Sequence, residues 1–318
     1  MSENIPPARV VVIGDALIDE LRDDHGVREF VGGAALNVAV GISRLGVPAT
    51  LIAMVGDDEA GGRIRSFLSD FGVELIASAA PHGSSRAVSV RSGAGEPEYE
   101  FNQAAQERRI RFGAREREAI AEAPTVVVSC FPFDDIAQTL ELADAVSGAQ
   151  SLAIDPNPRS GMMSDRAEFV RGFESLAASA TLVKVGDDDA SLLYGEPLHA
   201  LRARLIDLGV DVVLATEGAA GATLEAGEIV VTRPVSDLPR RIIDTMGAGD
   251  AVLAAAVVSL VQDAPANDDG WGALLERAMD VAAATCRFEG ALLRLPSALA
   301  GTTSIAWARD FSCGPIVG

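Results

Sequence analysis

The chain has 318 residues, of which 48% are hydrophobic and 5% aromatic, and its formal net charge is −20 at pH 7. This length suits one large α/β domain or two ordinary ones, and the apolar fraction is enough for a sizeable core. The acidic balance argues against a nucleic-acid partner and against an anionic membrane surface, because both attract clustered Lys and Arg. A phosphate site in this chain must therefore use backbone amides, a metal ion and a few well-placed cations.

Lysine and cysteine are both scarce in this sequence. Lys184 is the one lysine, so it either survives by chance or marks a site that needs a compact ammonium group. Cys130, Cys286 and Cys313 are too few and too scattered for a disulfide framework or a zinc site. The first residues, M-S-E-N-I-P-P-A-R, contain no apolar signal core, and no apolar run reaches transmembrane length. We therefore expect a cytoplasmic protein.

Short apolar runs alternate with helical patterns over most of the chain. Strands are predicted at 10–13, 50–55, 125–129, 151–154, 181–185 and 211–215, with a small antiparallel edge at 221–231. Helices are predicted after the Gly-Gly turn at 32–33, at 60–71, after residue 250 and at 270–287. This alternation predicts a parallel sheet with helices on both faces, and such sheets bind ligands at the carboxyl ends of their strands.

The alternation is interrupted in two places. Residues 86–91 and 98–102 are typical of two strands joined by a Gly-rich turn at 92–97, and a charged loop occupies 19–29. The hairpin is either a surface excursion or a flap over the site, and the second interruption favours the flap. We expect a single domain spanning 1–318, with a lid built from segments at about 19–31 and 86–104.

The sequence D-T-M-G-A-G-D at 244–250 leads directly into an apolar run at 251–260. Glycines at the start of a helix let a ligand approach the backbone, and the first amides carry the positive end of the helix dipole. Such a turn suits a phosphate group. A carboxylate at Asp250 would repel an anion, so it is best explained as a general base that faces a neutral hydroxyl. The alternative is an N-cap Asp with a packing glycine.

Polar residues follow several predicted strands. Asp15 and Asp19 come after the first strand, where each could meet a polar ligand or be a solvated loop acid. The turn at 32–33 opens an Ala-rich helix that carries Asn37, whose amide can both donate to and accept from a polyol. Arg159 follows another strand in D-P-N-P-R and could hold a phosphate or a carboxylate.

A second group of polar residues favours a nucleotide. Lys184 is followed by three acids at 187–189, which could supply oxygen ligands to Mg²⁺ or cap the next helix. Thr216 opens a turn that contains Gly218 and Gly221, and this turn suits a nucleotide phosphate.

Together these segments resemble the ribokinase-like (pfkB) carbohydrate kinases over about the whole chain. The resemblance is carried by G-G-A-A-L-N-V-A-V-G-I-S-R-L-G at 32–46 and D-T-M-G-A-G-D at 244–250, with T-E-G-A-A-G between them. Within the family the chain looks most like bacterial fructokinases, through G-D-A-L-I-D at 14–19, D-P-N-P-R at 155–159 and V-K-V-G-D-D-D at 183–189.

This resemblance implies a three-layer α/β/α fold with a mainly parallel central sheet and a small β-hairpin lid. It also implies transfer of a phosphoryl group from ATP, with Mg²⁺, to a hydroxyl of a free sugar, most simply fructose or a related ketose. Ribose, 2-keto-3-deoxygluconate and nucleosides remain alternative substrates, and a non-catalytic sugar-binding regulator is the alternative outside enzymes. The expected partners are a small-molecule sugar and a second copy of the chain, joined through the lid.

Site roles follow from the matching positions. Asp250 is the implied base, with an anion hole formed by the amides of Gly247, Ala248 and Gly249. The residues assigned to the sugar are Asp19, Gly32, Gly33, Asn37 and Arg159. Those assigned to ATP are Lys184, Thr216, Gly218, Gly221, Gly249 and Met279. Asp189 is assigned to Mg²⁺, directly or through water, because the family's Asn-x-x-Glu motif reads Gly186-x-x-Asp189 here.

Activation by a monovalent cation stays open. Asp244 is kept at the implied K⁺ site, but Arg294 falls about where ribokinase has a small residue. One hypothesis is that the guanidinium of Arg294 replaces K⁺ by donating to loop carbonyls. The alternative is that Arg294 points to solvent and main-chain oxygens alone bind the ion.

Overall fold

The computed structural model describes residues 9–23, 26–90 and 98–299. The strands in this part of the chain are β1 Val10–Gly14, β2 Leu17–Asp23, β3 Gly26–Gly32, β4 Ala49–Met54, β5 Glu74–Ser78, β6 Ser85–Val90, β7 Glu98–Phe101, β8 Thr125–Ser129, β9 Leu152–Asp155, β10 Leu182–Gly186, β11 Val212–Thr216, β12 Ala222–Ala226 and β13 Ile229–Arg233. The helices are α1 Ala34–Arg44, α2 Glu59–Asp70, α3 Gln103–Gln106, α4 Ala114–Glu122, α5 Ile136–Val146, α6 Arg166–Ala177, α7 Asp187–Asp189, α8 Leu198–Asp207, α9 Ala248–Gln262 and α10 Asp268–Thr285. Within the described residues, no helix combines the length and the apolar character needed to cross a membrane.

Nine strands form the central sheet, in the order β13-β12-β11-β10-β9-β8-β1-β4-β5. The strands from β11 to β5 are parallel, and β12 and β13 add an antiparallel edge. Alternate residues of β1 enter different apolar clusters: Val10 and Val12 face one, and Val11 and Ile13 face the other. Strands buried on both faces need continuous apolar sequence, which explains why short Val- and Ile-rich runs predicted them. The three-layer α/β/α prediction is confirmed.

Helix α9 lies in the interior of one layer. Its residues from Asp250 to Ser259 are all buried, and it packs between α1 and α10. A helix that is apolar all round is stable only when neighbouring elements cover every face. This burial holds the start of α9, and therefore Asp250, in a fixed position beside α1.

The second sheet is smaller and has the order β3-β2-β6-β7. Here β2 pairs antiparallel with β3 and parallel with β6, which pairs antiparallel with β7. The prediction of a loop at 19–29 was wrong, because residues 19–23 belong to β2 and residues 26–29 belong to β3. Charged residues such as Glu20 and Arg22 made the sequence of β2 resemble a loop, although its Ile18 and Leu21 are buried. The turn predicted at 92–97 lies outside the described residues.

Predicted strand boundaries agree closely with the central sheet. All six predicted parallel strands lie within one residue of the observed ones, and the antiparallel edge is β12 and β13. The short strand β5 was not predicted, and the predicted helices correspond to α1, α2, α9 and α10.

Candidate active site

The start of α9 meets α1 at the carboxyl ends of the parallel strands. Asn37 on α1 donates from Nδ2 to Oδ2 of Asp250 over 2.8 Å, a contact between residues 213 positions apart. Burial raises the pKa of Asp250, whereas the Asn37 hydrogen bond and the positive charges of Lys184 and Arg159 favour the ionised form. Asp250 is therefore an oriented carboxylate whose basicity is increased by its surroundings.

The turn before α9 has the geometry of an anion site. Gly247 is the N-cap, with φ of 75°, and a Cβ there would lie 2.5 Å from the carbonyl oxygen of Ala291. The amide of Ala248 donates to the Thr245 carbonyl over 3.2 Å. Among the described residues, the amides of Gly247 and Gly249 have no hydrogen-bond acceptor. Of the three amides predicted to form an anion hole, these two remain available to a ligand.

The single lysine lies at this turn. Lys184 Nζ is 3.3 Å from both carboxylate oxygens of Asp155, and a Cβ on Gly249 would lie 3.1 Å from the same nitrogen. Burial opposes the charge of Lys184, yet Asp155, Asp189 and Asp250 together raise its pKa. The ammonium group thus stays protonated against the first turn of α9. Asp155 was not assigned a role from the sequence, although it ends the buried strand β9.

The three acids after β10 have different environments. Asp189 is 6% exposed and accepts a hydrogen bond from the Gly186 amide over 2.6 Å, whereas Asp187 and Asp188 face solvent. Burial and the nearby Asp155 raise the pKa of Asp189 to about 6. Within the described part of the chain, no group of three or more His, Cys, Asp or Glu side chains could hold a metal ion.

Asp19 is close enough to Asp15 and Asp250 for their charges to affect its pKa. Burial, with the charges of Asp15 and Asp250, raises the pKa of Asp19 to about 7, against the opposing effect of Arg159. A Cβ at Gly32 would overlap with Oδ2 of Asp19. The small sheet therefore brings Asp19 against the turn that starts α1.

The Gly-Gly turn also fixes the start of α1. Gly33 is the N-cap, with φ of 109°, and a Cβ there would lie 2.9 Å from the Asp15 carbonyl oxygen. Asp15 Oδ1 accepts from the Ala35 amide over 3.0 Å. The Asp15 carboxylate thus accepts from an amide in the first turn of α1 and stabilises the helix that carries Asn37.

Arg159 faces this group of acids. Its positive charge lowers the pKa of Asp15, Asp189 and Asp250. The side chain is exposed and forms no ion pair or hydrogen bond with another described residue. Arg159 is consequently available to a negatively charged or polar ligand.

The residues predicted to bind the nucleotide are spread over two regions. Thr216 donates from Oγ1 to the Val185 carbonyl over 3.3 Å, and Gly218 begins the turn that follows. Gly221 contacts the end of β13 so closely that a Cβ would overlap with the Arg233 carbonyl oxygen. Met279 is 4% exposed and belongs to the core between α9 and α10. The loop after β11 is thus near β10, whereas Met279 and Gly221 have clear packing roles.

Asp244 and Arg294 have different relations to the loop before α9. Asp244 accepts from the amides of Met246 and Gly290, over 3.1 and 3.2 Å. The guanidinium of Arg294 stacks on Phe288, with Cζ 4.8 Å from the ring centroid. Among the described residues, the side chain of Arg294 donates to no loop carbonyl, so this structure does not support the hypothesis that it replaces K⁺.

In the described part of the chain, Arg287, and not Arg294, is the arginine that donates hydrogen bonds to carbonyls of the loop before α9. It is 6% exposed and donates from Nη2 to Leu238 over 2.6 Å, from Nε to Pro239 over 2.8 Å and from Nη1 to Ala283 over 2.6 Å, each time to the carbonyl oxygen. The only sequence signal for this role is an Arg at the end of a helix, where cations are common.

Comparisons with known proteins agree with this geometry. The profile of the pfkB family carbohydrate kinases matches residues 7–298. A fructokinase of Rhizobium leguminosarum bv. trifolii is 27% identical over 264 residues, which are 80% of this chain and 80% of that protein. The aminoimidazole riboside kinase of Salmonella typhimurium is 30% identical over 267 residues, which are 79% of this chain and 81% of that protein.

A solved structure has the same fold. Aminoimidazole riboside kinase from Salmonella enterica, complexed with aminoimidazole riboside and an ATP analogue, matches with a TM-score of 0.73 and 25% identity. The match covers 92% of this chain and 98% of that one. The three-layer fold, with a buried acid at a glycine-rich helix start, is that of an ATP-dependent kinase for small molecules. The chain belongs to the pfkB family of carbohydrate kinases.

Proposed function

We propose that this sugar kinase transfers the γ-phosphoryl group of ATP to a hydroxyl of a free sugar, with fructose or a related ketose as the preferred substrate. The main support is the hydrogen bond of 2.8 Å from Asn37 to Asp250, at the first turn of α9. This contact places the side-chain amide of Asn37, which suits a polyol, beside the Asp250 carboxylate, which suits a general base. The backbone amides at the start of α9, which suit an anion, are adjacent. Phosphoryl transfer needs this kind of positioning and charge neutralisation more than covalent catalysis.

In the proposed reaction, the carboxylate of Asp250 accepts the proton of the attacking sugar hydroxyl. The hydroxyl oxygen then forms a bond to the γ-phosphorus as the bond to the β-phosphate oxygen breaks. Negative charge on the transferred group is met by the amides of Gly247 and Gly249 and by the ammonium of Lys184. The raised pKa of Asp250 helps this step, because a stronger base takes the proton more readily.

Mg²⁺ fits the acids near Lys184 as part of a complex with ATP. Asp155 is close enough to Asp189 for its charge to raise the pKa of the Asp189 carboxyl. Two carboxylates suit an ion that keeps several waters and takes its remaining ligands from phosphate oxygens. When bound, Mg²⁺ would neutralise charge on the phosphates, and Asp189 would hold it directly or through water.

The small sheet is the proposed lid. Asp19 on β2 reaches the acids of the site from this sheet, so closure of the sheet on the sugar would exclude water from the γ-phosphate. Excluding water limits the transfer of the phosphoryl group to water in place of the sugar.

Arg159 favours a second candidate, a sugar acid such as 2-keto-3-deoxygluconate. Its exposed guanidinium has no ion pair among the described residues, although several carboxylates lie near it. A carboxylate on the substrate would pair with Arg159 and be repelled by Asp19. The neutral ketose stays preferred because Asp19, Asn37 and Asp250 all favour hydroxyl groups.

The deciding experiment is a coupled assay of ADP release with fructose, ribose, 2-keto-3-deoxygluconate and nucleosides. We expect the highest kcat/KM with fructose or another ketose, and background rates for Asp250→Asn with every substrate. The Arg159→Gln variant separates the two candidates, because it should lose far more activity with a sugar acid than with a neutral ketose. Absence of sugar-dependent ADP release with the whole panel would refute the proposed substrate class.

A further inference from the structure

A groove of about 630 Å³ lies on the side of the central sheet away from the candidate active site. Arg9, which directly precedes β1, and Glu74, the first residue of β5, both line it. These are the amino ends of parallel strands, whereas Asp250, Lys184 and Asp155 lie at carboxyl ends. The groove is therefore separate from the site of phosphoryl transfer.

The groove is positively charged in a strongly acidic protein. Arg9, Arg65 and Arg115 line it together with one acid among its described lining residues, Glu74, which gives a formal charge of +2. The whole chain carries −20. A local excess of guanidinium groups against this background selects for an anion by charge complementarity.

Two of the three arginines are already oriented. Arg9 donates from Nη1 to the Ala49 carbonyl over 3.3 Å and to Thr50 Oγ1 over 3.1 Å. Glu74 bridges Arg9 and Arg115, with N–O distances of 3.4 and 3.1 Å. A guanidinium held by such contacts loses less conformational freedom when it binds a ligand.

Arg65 on α2 has no such partner among the described residues. Its Nη1 is shielded from solvent and makes no hydrogen bond. Shielded polar atoms are normally hydrogen-bonded, so an unpaired guanidinium nitrogen indicates that an acceptor is missing. Arg65 is therefore the residue in this groove that most requires an added anion.

We propose that this groove binds a small phosphate monoester. A dianionic phosphoryl group matches the formal charge of the groove, and guanidinium groups bind phosphate oxygens in pairs. Leu75 and Ala77 belong to the lining and are half-buried and exposed, respectively, so the organic part of the ester has an apolar floor to contact. This proposal does not depend on which sugar the kinase phosphorylates.

Calorimetric titration at low ionic strength with inorganic phosphate and with phenyl phosphate tests this proposal. Both probes should bind the unmodified protein, and phenyl phosphate should bind more tightly because of the apolar floor. Arg65→Ser and Arg115→Ser should each weaken binding about tenfold, the effect of one charge-assisted hydrogen bond. Arg171→Ser is the matched control, since Arg171 is also exposed and paired with a glutamate, on α6.

The comparison between variants separates this groove from the active site. Phosphate that binds only at the start of α9 would be unaffected by Arg65→Ser and Arg115→Ser, and that result would overturn the proposal. An equal loss in Arg171→Ser would attribute binding to general surface charge and would also overturn it. If Arg65→Ser does not fold, Arg115→Ser carries the test, because Arg115 is exposed. Sugar kinase activity without phosphate should be unchanged in both groove variants.

Discussion

Asp250 and Asn37 form the contact on which the proposed chemistry depends. The carboxylate accepts one hydrogen bond from Asn37, while burial raises its pKa. A group that is both oriented and more basic than an ordinary Asp has the properties of a general base. Its neighbour Lys184 contributes charge rather than proton transfer, because three carboxylates raise its pKa and keep it protonated.

We expect Asp250→Asn to retain ATP and sugar binding and to lower kcat by about two to four orders of magnitude. The amide keeps the size of the carboxylate but cannot accept the hydroxyl proton. Rapid-quench measurement of the chemical step gives kcat, and calorimetry with a non-hydrolysable ATP analogue checks binding. Near-normal turnover would remove Asp250 from the mechanism.

Lys184→Met should lower kcat by about two to three orders of magnitude, because one charge that meets the γ-phosphoryl group is lost. Lys184→Arg should recover little activity, since the nitrogen of Lys184 already lies against Gly249 and leaves no room for a guanidinium. Steady-state kinetics with ATP and a thermal unfolding scan distinguish lost catalysis from lost folding. Full activity in Lys184→Arg would show that any cation suffices.

Asp19 gives a dependence of stability on pH. Its pKa rises from an ordinary 3.8 to about 7 in the folded protein, so the native state favours the protonated carboxyl. Its contribution to stability is fully present below pH 3.8 and is lost as pH rises through 7. Asp19→Asn should therefore increase the free energy of unfolding at pH 8 by roughly 1–3 kcal/mol, after allowance for partial exposure.

Urea unfolding at pH 4 and pH 8 measures this effect, with the exposed Asp187→Asn as the control. The gain from Asp19→Asn should be small at pH 4 and full at pH 8, whereas sugar affinity should fall. An equal gain at both pH values would mean that ionisation of Asp19 is not the cause.

At the scale of elements, the end of α10 organises the loop that enters α9. The Cys286 carbonyl accepts hydrogen bonds from the amides of Ile243 and Asp244, and Arg287 binds the carbonyls of Leu238 and Pro239. The anion-hole turn thus depends on a helix that follows it in sequence. A loop held in this way loses less conformational freedom when ATP binds.

Arg287→Met should raise KM for ATP several-fold and lower the free energy of unfolding by about 2–4 kcal/mol, because buried carbonyls lose a charged donor. Arg287→Lys retains one ammonium donor and should restore part of both losses. Kinetics with varied ATP and urea titrations give the two quantities. If KM for ATP stays normal while stability falls, Arg287 holds the fold but does not position the ATP loop.

At the scale of the whole molecule, ion pairs join the small sheet to the main domain. Glu29 on β3 pairs with Arg63 on α2 and with Arg86 on β6, and hydrogen bonds from both arginines lower the pKa of Glu29. These contacts steady the proposed lid on one side of the substrate region.

Glu29→Gln should raise the rate of ATP hydrolysis without sugar, because a looser lid admits water to the γ-phosphate. Global stability should change by less than about 1 kcal/mol, as is usual for exposed ion pairs. ADP release without sugar, compared with Glu168→Gln on α6 as an exposed-pair control, measures the effect. An unchanged hydrolysis rate would separate these ion pairs from lid function.

Much of the fold is determined by local sequence. Short Val and Ile runs bounded by turn residues are typical of strands that are buried on both faces, so six of the seven parallel strands of the central sheet were predicted within one residue. The turns at 32–33 and 247–249 were also predictable, because they combine glycine with the start of an apolar helix. The strands β2 and β3 were missed because their charged residues favour a loop when the local sequence is considered by itself. Pairing with neighbouring strands stabilises them as strands in the folded protein.

Side-chain partnership was decided by tertiary structure alone. The sequence by itself selected Asp250, Asn37 and Lys184 as candidates, but only the packing of α1 against α9 joins the first two across 213 positions. Likewise, only the tertiary structure shows that Arg294 stacks on Phe288 and that Arg287 donates to the loop carbonyls. Local periodicity is set by neighbours in the chain, whereas the partner of a charged side chain depends on which elements the sheet order brings together.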